Sequence, residues 1–321
     1  MEPVLCLDVG GTNTRVGIYA AEKQLYYEKI PSREFFADPF ARLASILSGQ
    51  RIGSRAVVAF PSLIPPESGP VSDKHLTFDR DAFASRFNLS RVDVLNDLEA
   101  GAYHIIERCD DLFGIASTDK SSLLLTEDAL RAPGRGVLIV YAGTGLGTSA
   151  IIRNHVFASE INRFLWTPKT YAEEAFAQWL ADHGAHGHYL ASDDELFTFD
   201  YFCSGRVIER YYTFRTGAFR HPSEISERAS FDREAEEALL FFFDQLGRYT
   251  ALCAQAFLTF EGIVLGGNIV RSNRDLLVRS GFLAQFDHYA FRRRIARVPI
   301  AVNLETDINL KGCARYALRY P

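Results

Sequence analysis

The chain is 321 residues long, with 47% hydrophobic and 23% charged residues, a composition that excludes intrinsic disorder. At about 100–200 residues per domain, this length predicts two domains. Thirty-five basic against forty acidic residues leave a net charge of −5, which gives a nucleic-acid partner no electrostatic footprint and requires local basic groups for any anionic substrate.

The cysteines at 6, 109, 203, 253 and 313 stand far apart, mostly inside apolar runs, and none forms a C-x-x-C pair. They read as reduced core residues rather than as a redox or zinc motif. The first strand-like run begins within a few residues of Met1 and no apolar stretch is long enough to span a bilayer. The expected compartment is the cytoplasm, with no membrane partner.

In chain order, residues 4–9, 15–20 and 24–30 read as three short strands, with Ala20-Ala21-Glu22-Lys23 as a turn. Phe40, Leu43, Ile46 and Leu47 recur at helical spacing, and Arg55 to Phe60 forms a buried strand stopped by Pro61. Val92-Asp93-Val94-Leu95 is a further strand running into Asn96-Asp97, after which Leu98, Ala102, Ile105 and Ile106 mark a helix. The stretch 110–135 is rich in loop residues, so the expected domains are 1–106 plus 304–321, and 107–303.

The second half opens on Gly136-Val137-Leu138-Ile139-Val140, a strand that closes in Tyr141-Ala142-Gly143-Thr144-Gly145-Leu146-Gly147-Thr148. Helical patches follow around Phe176, Trp179 and Leu180, from Val207 to Phe214, and from Arg233 to Phe257, the last interrupted at Gly247. The strand Gly262 to Leu265 ends in Gly266-Gly267-Asn268. The tail reads as a strand at 301–304 and a helix at 310–318 that returns to the first domain.

Two of these turns carry the chemistry. Asp8-Val9-Gly10-Gly11-Thr12-Asn13-Thr14-Arg15 and the 141–148 segment each follow a strand, and together they read as two loops gripping one polyphosphate. Neither has the G-x-G-x-x-G spacing or a G-x-x-x-x-G-K-[ST] run, which removes the dinucleotide and P-loop readings. Glycine lets successive backbone N–H groups approach phosphate oxygens, and Thr12, Thr14, Thr144 and Thr148 add hydroxyl donors. Asp8, at a strand end, suits a Mg²⁺-bound water, since Mg²⁺ favours one or two carboxylates plus phosphate oxygens. The bland reading of the same residues is a hairpin turn.

Asn96-Asp97 is the candidate for base chemistry, because a carboxylate within reach of a hydroxyl can take its proton as a new O–P bond forms. The bland reading is a helix N-cap, for which Asn and Asp are preferred types. A cap uses one of the two and leaves the other free. Gly266-Gly267-Asn268 reads either as backbone against which a nucleotide lies or as a plain strand-ending turn. His183, His186 and His188 fall in a Gly-rich loop and read as exposed rather than metal-binding. The basic run Phe291-Arg292-Arg293-Arg294, with Arg297, reads as a solvated helical face.

The turns occur in the order found in the sugar kinase, Hsp70 and actin superfamily, and in detail the chain resembles the bacterial glucokinase family. The resemblance covers Leu7 to Arg15, Ala59-Phe60-Pro61, Val94 to Ala100, Ala142 to Gly147, Ser204-Gly205, Ile225 to Ala229 and Leu265-Gly266-Gly267. It implies an α/β, two-domain actin-like ATPase (ribonuclease H-like) fold with a cleft between the domains, ATP and Mg²⁺ as cofactors, and phosphorylation of a hexose hydroxyl at the entry to glycolysis. It also implies nucleotide contacts from Asp8, Gly10, Gly11, Thr12, Asn13, Gly143, Thr144, Gly145, Gly266 and Gly267, with the metal at Asp8. Asp97 becomes the general base and Asn96 a sugar contact. A homodimer is what the family suggests.

The resemblance breaks in the sugar pocket. Where the family has Gly-Glu-Gly-Gly-His, this chain has Ser159-Glu160-Ile161-Asn162-Arg163, and a second sugar-binding Glu is replaced by Asp200. Glu160, Arg163 and Asp200 are the expected remaining sugar contacts. The Cys-rich zinc motif of the related repressor group is missing, which points to the zinc-free glucokinase branch. A permanent positive fork at Arg163 suits a carboxylate or acetyl oxygen on a substituted or acidic sugar, whereas an Arg163–Glu160 salt bridge leaves plain glucose as the substrate. The rivals are a catalytically weak sugar or nucleotide sensor and an actin-like interaction ATPase.

Overall fold

The computed structural model describes residues 2–61, 70–73, 76–107, 112–114, 136–183, 197–288, 293 and 298–321. The chain divides into two units, one made of Met1–Cys109, Val156–Ala158 and Glu305–Pro321, the other of Asp110–His155 and Ser159–Leu304.

The first unit is built on strands β1 (Val4–Val9), β2 (Asn13–Ala20), β3 (Lys23–Pro31), β4 (Arg55–Phe60) and, beyond the β5 (Pro70–Asp73) and β6 (Leu76–Asp79) hairpin, β7 (Arg91–Asn96). Their order is β3-β2-β1-β4-β7. β1 to β3 form an antiparallel meander, while β4 runs parallel to β1 and β7 parallel to β4. Strands of near-continuous apolar residues, such as β4 with five buried positions in a row, are what a parallel sheet covered on both faces demands. One face packs Phe35, Leu43, Phe60 and Phe83; the other packs Cys6, Ala59 and Leu95 against Ala100, Leu310 and Cys313.

That second face is covered by two helices, Asp97–Glu107 and the C-terminal Ile308–Arg319. They approach so closely that a side chain on Gly312 would stand 1.7 Å from the Ala100 carbonyl oxygen. Only glycine allows that spacing.

The second sheet repeats the plan with β8 (Leu112–Gly114), β9 (Gly136–Ala142), β10 (Leu146–Ile152), β11 (His155–Ser159, of which Val156–Ala158 group with the first unit), β12 (Gly262–Gly266) and β13 (Ile300–Asn303). The order is β11-β10-β9-β12-β13-β8, again a hairpin followed by parallel neighbours. Its core gathers aromatic side chains, among them Trp166, Phe176, Phe202, Phe242 and Tyr249.

The 25-residue helix Arg233–Phe257 starts under an Asp232 cap that accepts from Glu234 N at 3.1 Å and Ala235 N at 3.3 Å. It runs on through Gly247, where the sequence suggests an interruption. A Cβ there would lie 2.4 Å from the Phe282 carbonyl oxygen, so the glycine answers a close approach and not a break in the helix.

The expected strands and helices of the first 106 residues appear within two residues of their predicted ends. Of the loop-rich 110–135 stretch, only 112–114 lies among the described residues. Among the described residues, no helix is long and apolar enough to cross a membrane.

Candidate active site

Parallel pairing brings the carboxyl ends of β1, β4 and β7 to one edge of the first sheet, with Asp8 beside Ala59 and Phe60 beside Asn96. At about 4.8 Å per strand, the ends carrying Asp8 and Asn96 stand roughly 10 Å apart. Ligands of open α/β sheets bind at such an edge.

The turn between β1 and β2 is closed by the Gly10 N–H donating to the Asn13 carbonyl at 3.1 Å. Gly11 and Thr12 are exposed, and a Cβ built on Gly11 would meet nothing within 4 Å. The turn is therefore open to solvent at Gly11 and Thr12. Thr14 is not available to it. This residue is 0% exposed, and its hydroxyl stands 3.0 Å from that of Ser32, which donates to the Gly10 carbonyl at 2.5 Å. Since Ser32 has one proton to give, Thr14 is the donor between them. Thr14 thus braces the turn from below.

Asp8 is 4% exposed and bonded through both oxygens, Oδ2 to Arg15 Nη1 at 2.8 Å and Oδ1 to Asn309 Nδ2 at 3.2 Å. Burial pushes its carboxyl up, and the Arg15 and Asn309 contacts oppose that shift. Among the described residues, no three His, Cys, Asp or Glu side chains gather as a metal cage. A metal here would be carried by phosphate oxygens and one carboxylate, the usual manner for Mg²⁺. Each Asp8 oxygen retains a second lone pair, so the carboxylate fits a metal-bound water.

Asn96 is 8% exposed, and its Oδ1 accepts from Leu98 N at 3.0 Å and Glu99 N at 3.3 Å. The cap does not leave Asp97 out of the helix start, however, because Asp97 Oδ1 accepts from Leu98 N at 2.8 Å. A helix start offers several orphan N–H groups, and both side chains use them. Asp97 remains half-buried, held at the junction of β7 and the helix that follows it.

In the second unit, the turn between β9 and β10 is closed by Gly143 N donating to the Gly145 carbonyl at 2.9 Å, and Gly143's own carbonyl accepts from Gly205 N at 2.9 Å. Thr144 and Gly145 are exposed, and Gly143 has open space where a Cβ would go. Thr148, expected as a donor to phosphate, is 1% exposed and bonded to the Tyr249 hydroxyl at 2.5 Å. Parallel pairing sets Gly266 beside Tyr141, at the edge where the turn begins. Gly267 adopts φ +98° and a Cβ on it would lie 2.0 Å from the Ala142 carbonyl oxygen, so packing against β9 already requires glycine there.

Asp200, an expected sugar contact, is tied to the second turn. It is 5% exposed, and its oxygens are taken by Leu146 N at 2.7 Å and by the Arg206 guanidinium. Leu146's carbonyl accepts from Asn162 Nδ2 at 2.8 Å. One residue of the turn is thereby held by Asp200 on one side and by the Glu160 segment on the other. Glu160 is half-buried and lies 3.5 Å from Arg163 Nε. Burial pushes the Glu160 carboxyl up, Arg163 opposes this, and the charge of Asp200 adds to the rise.

Sequence reading missed Ser32, Arg206, Asp307 and Asn309. The polar run Glu305-Thr306-Asp307-Ile308-Asn309 ahead of the last helix is the one signal that could have raised the latter two. His183 Nδ1 stands 2.9 Å from the Trp179 carbonyl oxygen, while His186 and His188 lie outside the described residues. Of the basic run, only Arg293 is described, and it is exposed.

The glucokinase family model matches residues 5–320. A glucokinase of Nostoc sp. is 23% identical, with 99% of this chain and 100% of that protein covered. The structure of a Balamuthia mandrillaris glucokinase in complex with glucose superposes with a TM-score of 0.80 at 17% identity, covering 99% of this chain and 94% of that one. A ROK family glucokinase from Streptomyces griseus, in complex with glucose and AMPPNP, gives 0.68 at 19% identity and 99% coverage of both. These neighbours share the actin-like two-domain fold. A match that runs through both strand-turn units and into the last helix takes in the whole chain, which belongs to the glucokinase family and is an ATP-dependent sugar kinase.

Proposed function

We propose that the kinase transfers the γ-phosphoryl group of ATP to a hexose hydroxyl with Asp97 as general base, and that the substrate is an unsubstituted hexose such as glucose. The observation that carries this reading is the Asn96-Asp97 junction, a half-buried carboxylate oriented by the helix start at the same sheet edge as Asp8. The sugar hydroxyl gives its proton to Asp97 as its oxygen bonds to phosphorus and the bond to the ADP oxygen breaks. Such transfers depend on alignment and charge stabilisation, because the transition state is loose.

Backbone N–H groups at Gly11 and Thr12, with Gly10 and Asn13 closing that turn, and at Thr144 and Gly145, with Gly143 closing its own, each hold part of the polyphosphate. Gly266 and Gly267 border the nucleotide. Mg²⁺, when bound, neutralises phosphate charge, and Asp8 orients its water. Asn96 and Glu160 contact the sugar, while Asp200 acts through Leu146. Arg163, beside Glu160, holds that carboxylate instead of clamping a substituent. Among the described residues, the buried free cysteines Cys6, Cys203, Cys253 and Cys313 accord with a reducing cytoplasm, and a homodimer remains part of the reading.

A coupled ATP-consumption assay over glucose, uronic acids and N-acetylated sugars tests it, with wild type and Asp97→Ala. The expected result is a preference for glucose and a loss in kcat of at least about 10²-fold in the variant. Sugar-independent hydrolysis unaffected by the substitution would replace it with an interaction ATPase, and sugar binding without turnover would replace it with a sensor.

A further inference from the structure

Asn309 lies in the first turn of the C-terminal helix, a segment to which no catalytic part has been assigned above. Its amide Nδ2 donates to Asp8 Oδ1 at 3.2 Å. Its Oδ1 faces the Asp97 helix, so close that a Cβ on Gly101 would stand 2.8 Å from it. The side chain is therefore wedged between the carboxylate at the end of β1 and the helix that begins with Asp97. Two neighbours fix the wedge. Asp307 Oδ1 lies 2.7 Å from Arg15 Nε, and Arg15 in turn bonds the other oxygen of Asp8. Asp307 holds φ +57°, a conformation that non-glycine residues adopt at a cost, though Asp does so more readily than most. Gly312, one turn on, admits the Ala100 carbonyl against the helix backbone.

We propose that Asn309 is a positioning residue that sets the Asp8 carboxylate against the Asp97 helix, with Asp307 fixing Arg15 as its counterpart on the other oxygen. It rests on the reading of Asp8 as the carboxylate that faces the nucleotide's metal. Asn309 contacts neither sugar nor phosphate. It acts by holding Asp8 in one rotamer, and its carbonyl uses the space that only glycine leaves at position 101. An amide is suited to this place because it donates to a carboxylate without adding charge. An aspartate there would set two carboxylates face to face.

The test compares Asn309→Ala, Asn309→Asp, Gly101→Ala and Asp8→Asn in steady-state kinetics, together with calorimetric binding of ADP and Mg²⁺ in the absence of sugar. Partners that orient a metal-facing carboxylate are typically worth about 10–100-fold in affinity or activity. The expected result is a loss of that size in kcat and in binding of the ADP and Mg²⁺ probe for Asn309→Ala, a larger loss for Asn309→Asp, and a loss in the same parameters for Gly101→Ala, with the sugar KM unchanged. A merely structural role would lower Tm and affect sugar and nucleotide parameters alike, which overturns the proposal. Wild-type binding and kcat in both Asn309 variants, while Asp8→Asn loses them, would overturn it and leave the role of Asp8 standing. Wild-type behaviour in Asp8→Asn would remove both.

Discussion

Asp200 accepts the backbone N–H of Leu146 at 2.7 Å, although 54 residues separate them in the chain. Its other oxygen belongs to Arg206, and both side chains are more than nine-tenths buried. Removing one partner of a buried ion pair leaves an uncompensated charge and costs about 3–5 kcal/mol. Arg206→Met is expected to destabilise the protein by that order in urea unfolding and to raise the ATP KM, since the 143–148 turn loses its fixed strut. A variant of wild-type stability and ATP KM would show that the pair does not brace the turn.

The first turn has its own brace in Ser32, whose hydroxyl stands between Thr14 and the Gly10 carbonyl. Ser32→Ala leaves the fully buried Thr14 hydroxyl without that partner, at a cost of about 1–3 kcal/mol. The expected kinetic signature is a higher ATP KM with the sugar KM unchanged. An equal rise in both would assign Ser32 to the general packing of the unit.

Much of this was legible beforehand, for identifiable reasons. β1, β4, β7, β9 and β12 are apolar runs ended by glycine, proline or Asn-Asp, so local pattern located them and the turns at their ends. The Asn96-Asp97 corner was legible in the same way. Thr14 and Thr148 fall on the buried phase of β2 and β10, and a turn motif does not say which of its hydroxyls faces inward. Arg206 and Asn309 were out of reach. Asn309 meets Asp8 across 301 residues of chain, and only the pairing of the sheet and the glycine contact between two helices bring them together.

Acid is expected to weaken the first unit through His104 and Glu305, which meet at 3.0 Å. Burial pushes the His104 imidazole below its ordinary value despite the neighbouring carboxylate, and Lys311 and Arg315 add to the effect. Glu305 is held down to about 2 by Lys311 and His104, which outweigh its burial. Both groups bind protons less readily in the folded chain than in the unfolded one, so stability falls as pH falls. The His104 share is intact above 6.5 and is lost as pH drops below it, while the Glu305 share is intact above 4.5 and is lost toward about 2. Urea unfolding from pH 7.5 to 5 should show a steeper decline for wild type than for His104→Gln. Parallel curves would mean that His104 protonates in the folded chain as easily as in the unfolded one.

Gly11 and Gly143 separate a phosphate cradle from an ordinary turn. Neither has a positive φ, and a Cβ built on either meets no protein atom within 4 Å. Alanine therefore fits the fold at both positions, a branched side chain starts from open space, and Tm should stay near that of wild type. If the open side of each turn is where phosphate oxygens approach, the added side chain occupies their place, and a misplacement of about 1 Å can cost 10²-fold in such reactions. Gly11→Val and Gly143→Val are expected to lose roughly 10–100-fold in kcat/KM for ATP while glucose binding, followed by intrinsic fluorescence, is unchanged. A stable Gly11→Val protein with full activity would mean that the first turn does not hold the nucleotide. The same result at Gly143 would remove the second turn from the site and leave the 8–15 segment to carry the phosphates without it.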